Sequence, residues 1–398
     1  MAKRPAKRKR HLTLLIVLCL AAAFAAAWFL LPSDVFLARK QAEKLGYEIP
    51  ASYEDAESRY YYQKLDKTEQ TAYRVIVEEL PDFPERIAIP ELDDDQLQET
   101  YSAISYDNPT YFFLATTCTT VRFGGPCYFI PKYIMSKDEY EAKLAQMEAA
   151  ADKVIAGAPN GTEYERELYV HDYIGKTTSY KDDKDPNIYT PYGVLINKRA
   201  NCEGYARCTQ YLLNRLGIVN HLISGTGTNS DGKTENHMWN VVAIDGQDYN
   251  VDSTWDDYVI SGAREDTEPA PSHVYFNMSA DDMKLTHKPD DPADWEGCTS
   301  EKAYYLNVND QMWSSYSASA VKDALVRQLA AGNTSIEFRF TNAESYNTAV
   351  QKLFNNSELY DLIALADMRV SAKNRVEANR VQYATDDHRQ VIRVFMIR

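Results

Sequence analysis

A run of twenty uncharged, mostly apolar residues from Leu12 to Leu31 constrains this chain more than any other feature. At ~1.5 Å per residue, a helix of that length spans ~30 Å, the thickness of the hydrocarbon core of a bilayer. Six Lys and Arg residues and no acidic residue precede the run within positions 1–11. Because positive charge is retained on the cytoplasmic side, the pattern predicts a cytoplasmic basic tail at 1–11 and a single-pass transmembrane anchor at 12–31. The rest of the chain is then extracellular.

A cleaved signal peptide is the alternative interpretation, with a small-residue cleavage site inside residues 21–27. Both interpretations place the bulk of the chain outside the cytoplasm, at the cell envelope. The net charge of −15 excludes one class of partner, because six of the 43 basic residues lie in the tail and leave 37 against 58 acidic residues. Nucleic-acid binding requires clustered positive charge, so we predict no nucleic-acid partner.

Five cysteines lie beyond the apolar run, at Cys118, Cys127, Cys202, Cys208 and Cys298. Thiols outside the cytosol tend to pair, but an odd number leaves one unpaired. Cys118 and Cys127 flank a Gly-Gly-Pro turn in a predicted hairpin, where either a local disulfide or two free thiols fits. Cys208 is either a packing residue or a partner of Cys298.

No pair of cysteines has CxxC spacing, so the sequence offers no zinc ribbon. The acidic run at 182–186 lacks the spacing of an EF-hand loop and is better interpreted as a solvated loop than as a calcium site. We therefore predict neither a metal nor a cofactor.

The chain is long enough for several domains, and 44% apolar with 25% charged residues is typical of folded proteins. We predict a polar stalk at 32–65, a helical accessory region at 66–135, a central domain at 136–298 and a C-terminal α+β domain at 299–398. Periodicity and capping residues predict the following elements: helices at 137–156, 163–177, 202–216, 318–331 and 343–354, and strands starting at 111 and covering 237–244, 247–252, 335–340, about 381 and 391–396.

Three residues in the central domain combine into a chemical site. Cys202 lies in the predicted first turn of a helix, where the helix dipole and unpaired N–H groups favour a thiolate. His237 opens a strand, and the Asp245-Gly246 pair that follows predicts a two-residue hairpin loop. That loop pairs Ile244 with Gln247, which puts His237 and Asp252 on one face as diagonal neighbours.

A carboxylate beside an imidazole fixes the tautomer of the ring and holds it as a base. If the helix packs on that face, Cys202 attacks a carbonyl carbon, His237 shuttles the proton and Asp252 orients the ring. The N–H of Cys202 is then placed to donate to the developing oxyanion. The alternative is a buried cysteine, a structural histidine and an aspartate that caps a turn.

These segments resemble the transglutaminase-like superfamily over roughly residues 136–298. Pro191–Leu195 and Ala200–Ala206 are similar to its nucleophile segment, Glu235–Asn240 to its His strand, and Asn250–Asp257 to its Asp strand. Further similar segments are His171–Tyr173, Tyr275–Ser279 and Met283–His287. The family's Cys, His and Asp fall on Cys202, His237 and Asp252.

The resemblance implies an α+β, papain-like fold in which a Cys-bearing helix packs on an antiparallel sheet that bears the His and the Asp. It also implies acyl transfer from glutamine side chains, or hydrolysis of peptide or amide bonds, on a peptide or protein substrate. Some members of the family are inactive, so a non-catalytic cell-surface binding or scaffold protein is the alternative.

Four further residues are candidates for binding substrate. We expect Trp239, Trp255 and Tyr192 to line the cleft, with core packing as the alternative role. Asn240, together with Asn201, is a candidate donor to the oxyanion.

Overall fold

The computed structural model describes residues 59–122, 127–229, 231–257 and 271–397. The predicted tail at 1–11, the predicted anchor at 12–31 and most of the predicted stalk lie outside these residues. Within the described ranges, no helix is both long enough and apolar enough to cross a membrane. The described residues up to 107, together with those of 113–137, form one compact unit, and residues 108–112 with the described residues from 138 onward form a second.

The first unit packs helices on a small sheet. Its elements are α1 (Tyr60–Lys64), α2 (Lys67–Glu79), a 3₁₀ turn (Leu80–Asp82), β1 (Ile87–Ile89), α3 (Asp94–Asp107), β2 (Thr119–Arg122) and β3 (Cys127–Ile130). The strands form an antiparallel sheet in the order β1-β3-β2. The Asp66 side chain accepts from the N–H groups of Thr68 and Glu69, which explains the start of α2.

Two expectations for this unit are corrected. The strand predicted to start at residue 111 is absent from the described chain, which turns there and makes only an isolated bridge between Leu114 and Tyr133. The hairpin of β2 and β3 exists, but its register places Cys127 opposite Arg122 and leaves Cys118 before the first paired residue. Both cysteines are free thiols, which agrees with the second of the two alternatives.

The second unit begins with helices that lead to the candidate nucleophile. They are α4 (Lys137–Gly157), α5 (Glu163–Thr177) and, after the short parallel strands β4 (Ser179–Tyr180) and β5 (Arg199–Ala200), α6 (Cys202–Arg215). A 3₁₀ turn (Pro186–Tyr189) and a π turn (Gly193–Asn197) lie between the two strands. The loop at 182–186 contains Asp183 and Asp185, which pair with Arg199 at 3.2 and 2.5 Å.

A five-stranded antiparallel sheet follows and carries the predicted histidine. Its strands are β6 (Asn220–Thr228), β7 (Thr234–Ile244), β8 (Gln247–Val251), β9 (Phe276–Met278) and β10 (His287–Pro289), with a short α7 (Ala280–Met283) before β10. They lie in the order β10-β6-β7-β8-β9. The predicted hairpin register is confirmed from the Ile244–Gln247 pair to the Asn240–Val251 pair.

The remainder of the second unit is a small α+β layer. It consists of a 3₁₀ turn (Pro292–Asp294), α8 (Tyr305–Val308), β11 (Met312–Trp313), α9 (Ala318–Ala331), β12 (Ser335–Phe340), α10 (Ala343–Val350) with a π turn (Gln351–Asn355), α11 (Glu358–Asp367), a 3₁₀ turn (Ala372–Asn374), β13 (Val381–Asp386) and β14 (Val391–Met396). The strand order is β11-β12-β14-β13. Periodicity predicted α9, β12 and β14 at these bounds, but it did not predict β11 or α11.

Two apolar clusters hold the second unit together. One lies within the C-terminal layer and includes Phe338, Leu353 and Ile392. The other includes Trp239 from β7, Tyr275, and Val391 from β14. The C-terminal layer therefore packs directly against the sheet that carries His237.

Gly204 explains why α6 can begin where it does. A Cβ at this position would meet the carbonyl oxygen of Ile188 and would lie 2.8 Å from the Cβ of Ala200. Backbone cannot move aside cheaply, so only glycine allows the first turn of α6 to pack this closely.

We therefore expect Gly204→Ala to destabilise the protein by roughly 1–3 kcal/mol, the usual cost of overpacking. Urea denaturation followed by circular dichroism measures this. Gly297→Ala is a matched control, because its added Cβ meets only the movable carboxylate of Asp248 at 2.7 Å. Equal stability of the two variants would show that the close packing at Gly204 is unimportant.

Candidate active site

The start of α6 positions Cys202. Asn201 is the N-cap, and its side-chain oxygen accepts from the N–H of Gly204 at 3.2 Å. The N–H of Asn201 donates to the carbonyl oxygen of Ile188 at 3.0 Å, which ties the helix start to the preceding 3₁₀ turn. Cys202 is the first residue of the helix and is partly exposed. Its thiol therefore lies at the positive end of the helix dipole.

Asp252 lies just past the end of β8 and holds two histidines. His237 Nε2 lies 2.7 Å from Asp252 Oδ2, and His287 Nε2 lies 3.1 Å from the same oxygen. The other oxygen, Oδ1, accepts from the N–H groups of Thr254 at 2.9 Å and Trp255 at 3.2 Å. Since a carboxylate only accepts hydrogen bonds, both Nε2 atoms carry protons.

The electrostatics of this group are set by opposing effects. Burial disfavours charge on His237, but the charge and hydrogen bond of Asp252, with a contribution from Cys202, outweigh it and raise the pKa of His237 to about 10. Burial acts in the other direction on Asp252, and the two histidines overcome it and hold its pKa well below the usual range. Burial lowers the pKa of His287 to about 4, so this second ring is neutral near pH 7.

Cys202 and His237 meet at the surface of one cavity of about 1000 Å³. The Cys202 thiol contributes to the raised pKa of His237, so the two groups lie near one another. Nε2 of the ring is bound to Asp252, which leaves Nδ1 outside that contact. His237 and Asp252 are in contact, as the hairpin register predicted.

Contacts between α6 and the loop after β8 fix this arrangement. Asn240 Nδ2 donates to the carbonyl oxygen of Ala206 at 3.0 Å, and Thr209 Oγ1 lies 3.0 Å from Ser253 Oγ. The hydroxyl of Tyr205 donates to Asp257. These buried polar bonds cross from the helix to the sheet and hold the helix in register with it.

The cavity has a second wall that no sequence pattern indicated. The turn between β13 and β14 contributes Asp386, Asp387, His388 and Arg389 to its lining. Arg389 lies with its guanidinium 4.1 Å from the centre of the Tyr275 ring and pairs with Asp386 at 2.6 Å. Its Nη1 is buried without a hydrogen-bond partner. The C-terminal layer therefore shapes the candidate site.

Of the four residues predicted to bind substrate, one lines the cavity and three do not. Trp255 lines the cavity, together with Asn201. Trp239 is instead 1% exposed within the apolar core, and its Nε1 donates to Asn250 at 3.1 Å. Asn240 is equally buried, with Nδ2 engaged at the helix. The Tyr192 hydroxyl binds Gln146 at 3.1 Å, and the residues that line the cavity do not include this tyrosine.

These positions have a simple geometric cause. Trp239 shares a strand face with His237, but the strand passes into the core within two residues of His237, so the alternative role of core packing is the one seen. Trp255 instead follows Asp252 in a loop that turns back over the cavity. Its ring centre lies 5.5 Å from that of His237 and 4.5 Å from that of His287.

His287 is the functional residue that sequence reasoning left without a role. The stretch from Met283 to His287 was noted only as a further similarity, because no local pattern ties it to Asp252, 35 residues earlier. Only the pairing of β10 with β6 places the ring under the site.

Two groups in the described part of the chain bring metal-ligating atoms within 4.8 Å of one another. One is His237, Asp252 and His287, in which both Nε2 atoms are bound to Asp252 and His287 Nδ1 lies 2.8 Å from Thr286 Oγ1. The other is His171, Asp172 and His273, on α5 and the segment before β9.

Comparison with known proteins agrees with this geometry. Residues 148–253 match the family model of the Transglutaminase-like superfamily. Kyphoscoliosis peptidase of Homo sapiens is 26% identical over 96 residues, which cover 22% of this chain and 14% of that protein. The Mus musculus protein of the same name gives the same values. This chain thus spans only about a seventh of the length of the curated relatives it matches.

Two solved structures resemble parts of this chain at low sequence identity. A structure described as a TGase has a TM-score of 0.25 and 17% identity, over 41% of this chain and 48% of the other. A candidate cysteine protease from Cytophaga hutchinsonii has a TM-score of 0.24 and 10% identity, over 35% of this chain and 61% of the other.

Residues 148–253 are a transglutaminase-like domain, and the matched segment contains Cys202, His237 and Asp252. The fold is the α+β arrangement that the resemblance implied, with the Cys-bearing helix α6 packed on an antiparallel sheet.

The cysteines differ in burial and in thiol pKa, so their rates of alkylation test the environment of Cys202. Burial raises the pKa of Cys118 to about 11 and that of Cys298 to about 12, and it raises the pKa of Cys208 further. We expect iodoacetamide at pH 7.5 to alkylate Cys202 first, since thiolates are the reactive species. His237→Ala should slow this labelling on the order of tenfold or more. Peptide mass spectrometry over time measures each thiol separately.

Cys118 serves as the internal reference, because it is also partly exposed but far from any histidine contact in the described structure. His221→Ala is the control variant, since this histidine is not among the residues that line the cavity. Labelling of Cys202 at the rate of Cys118, unaltered by His237→Ala, would contradict activation by the ring.

Proposed function

We propose that this protein is a cysteine-dependent enzyme that transfers or hydrolyses acyl groups of peptide or protein amides. Cys202 is the nucleophile, His237 carries the proton and Asp252 orients and charges the ring. One observation carries the proposal: His237 is bound through Nε2 to Asp252 at 2.7 Å, and its ring lines the same cavity as the partly exposed Cys202.

The first half-reaction forms a thioester. The Cys202 sulfur attacks the carbonyl carbon of a substrate amide, and the C–N bond breaks. The proton on His237 Nδ1 passes to the departing nitrogen, which leaves as ammonia or an amine. Because the pKa of His237 is about 10, the ring holds that proton at physiological pH.

The second half-reaction releases the acyl group. Water or a primary amine attacks the thioester carbonyl and gives a proton to His237 Nδ1, and the C–S bond breaks. Water and a primary amine attack the thioester in the same way. The ratio of hydrolysis to amine transfer therefore depends on how well the bound substrate excludes water from the cavity.

The start of α6 supplies the charge stabilisation that both steps need. The first N–H groups of a helix have no acceptor within the helix, and those of residues 202 and 203 lie beside the attacking sulfur. An oxyanion formed on the carbonyl would accept from these groups at the positive end of the helix dipole.

The cavity has room for a segment of a peptide substrate. Its volume of about 1000 Å³ is at the upper end for ligand sites, and it is lined by both polar and aromatic side chains. The charged residues of its rim are as follows: Asp182, Glu235, Asp386 and Asp387, with Lys233, Arg389 and Arg393.

The proposal is tested by trapping the acyl-enzyme. We expect intact wild-type protein, incubated with cell-envelope extract and quenched in acid, to carry an added mass on Cys202 that hydroxylamine removes. Cys202→Ala should carry none. A fluorescent primary amine added to the reaction should appear in the extract proteins if an amine is the acceptor, and free carboxylate should appear if water is.

Asp252→Asn is the second variant, because it keeps the size of the side chain and removes its charge. We expect turnover to fall by about 10²–10⁴-fold, as for other orienting carboxylates.

The activity of the wild-type protein should fall as pH rises through about 10, where His237 loses its proton. In Asp252→Asn this loss of activity should occur at lower pH, because the charge that raises the pKa of His237 is absent. A cellular phenotype that persists unchanged in Cys202→Ala would instead favour a non-catalytic scaffold.

We further propose that the enzyme acts outside the cytoplasm on envelope proteins, held by residues 12–31. The twenty uncharged residues and the basic tail before them support this orientation. Acidic character of the rest of the chain is compatible with an exposed, soluble ectodomain.

A topology assay checks this location. In a Cys202→Ala background, Glu377→Cys should react with a membrane-impermeant maleimide on intact cells, because Glu377 is exposed. Ala6→Cys, the matched control in the basic tail, should react only after permeabilisation. Reaction of both positions only after permeabilisation would show that the whole chain is intracellular.

A further inference from the structure

A second cluster of ionisable residues lies apart from Cys202 and has no part in the proposed reaction. His171 and Asp172 come from α5, and His273 comes from the segment before β9. His273 Nε2 lies 2.7 Å from Asp172 Oδ1, and His171 Nδ1 lies 3.8 Å from the same oxygen. All three ligand atoms lie within 4.8 Å of one another.

One nitrogen of this cluster lacks a hydrogen-bond partner among the described residues. His171 is 2% exposed, and its Nδ1 makes only the 3.8 Å contact with Asp172. The other nitrogen, Nε2, lies 3.2 Å from Asp256 Oδ2. Since the Asp256 carboxylate accepts the hydrogen bond of Nε2–H, Nδ1 of the neutral ring presents a lone pair on the side of Asp172 and His273. A buried nitrogen without a partner costs free energy unless a ligand completes it.

We propose that His171, Asp172 and His273 bind a divalent transition metal, with zinc as the best match. Two imidazoles and one carboxylate are a common zinc ligand set, with water as the fourth ligand. In a tetrahedral site with bonds of about 2.1 Å, ligand atoms lie about 3.3 Å apart. The present separations of 2.7 and 3.8 Å bracket that value, so small side-chain shifts suffice.

The surroundings of the cluster match those of metal-bound histidines. Such rings usually give their second N–H to a carboxylate, which fixes their orientation. Asp256 holds His171 in this way, and the backbone N–H of Tyr275 holds Asp256 in turn. Glu337 Oε2 lies 3.9 Å from His273 Nδ1 and accepts the N–H of His273 at 2.9 Å.

Charge also favours a cation at this position. Asp172, Asp256 and Glu337 surround the two rings, and Lys176 pairs with only one oxygen of Asp172, at 2.6 Å.

The cluster has an entry path for the ion and its water. Asp172 and His273 line a cavity of about 340 Å³. Lys176, Tyr305 and Glu337 line it as well. Asp172 is 27% exposed and His273 is 14% exposed on their side chains. A bound metal would tie α5 to the segment before β9, and it would steady Asp256 four residues from Asp252.

Metal binding is tested on the full chain, stripped with EDTA and then supplied with Zn²⁺ or Co²⁺. The Cys202→Ala background removes the exposed thiol as a competing ligand. We expect about one zinc per chain after gel filtration, measured by mass spectrometry of the metal. The absorption spectrum of bound Co²⁺ should show the visible bands of tetrahedral coordination by nitrogen and oxygen. It should lack the near-ultraviolet band that a sulfur ligand gives.

His273→Gln and Asp172→Asn should each lower zinc affinity by tenfold or more, as their side chains keep hydrogen bonds but lose a ligand. These residues are partly exposed, so circular dichroism should show both variants folded. His388→Ala, which removes an exposed histidine elsewhere, should bind as the parent does. Absence of retained zinc in the parent, equal binding by all variants, or a sulfur band would each overturn the proposal.

Discussion

The buried carboxylate of Asp252 is the constraint on which the rest of the site depends. An ionised carboxylate inside a protein costs several kcal/mol unless donors surround it. Here two imidazole N–H groups and two backbone N–H groups meet its oxygens at 2.7–3.2 Å. The charge is therefore stable where it lies, and it raises the pKa of His237. Removal of any one donor would leave part of the charge unpaired, so the arrangement is cooperative.

The loop after β8 organises more than one histidine. Asp252 binds His237 and His287, and Asp256, whose N–H donates to the Asp252 carbonyl at 3.2 Å, binds His171. One short turn thus anchors two histidine groups.

The C-terminal layer belongs to this network as well as to the cavity wall. Arg339 makes two bonds to Asp282 at 2.6 and 2.5 Å, in the short helix that precedes His287. Val391 enters the cluster that contains Trp239 and Tyr275, and Arg389 stacks on Tyr275 at the cavity. Loss of this layer would uncover the core beneath the sheet and would leave the cavity open on one side.

Local signals in the sequence determined the helices, the hairpin register and the likeness to transglutaminases. Asn201 caps a helix, Asp245-Gly246 makes a tight loop, and alternation then places His237 and Asp252 on one face. These features depend on residues near one another in the chain, so pattern alone resolves them. Tertiary structure alone decided that Trp239 is core, that His287 shares Asp252, that Arg389 reaches the cavity and that His171 meets His273. Those contacts join residues that lie 35 to more than 100 positions apart in the chain. Local propensity does not determine which of these long-range contacts form.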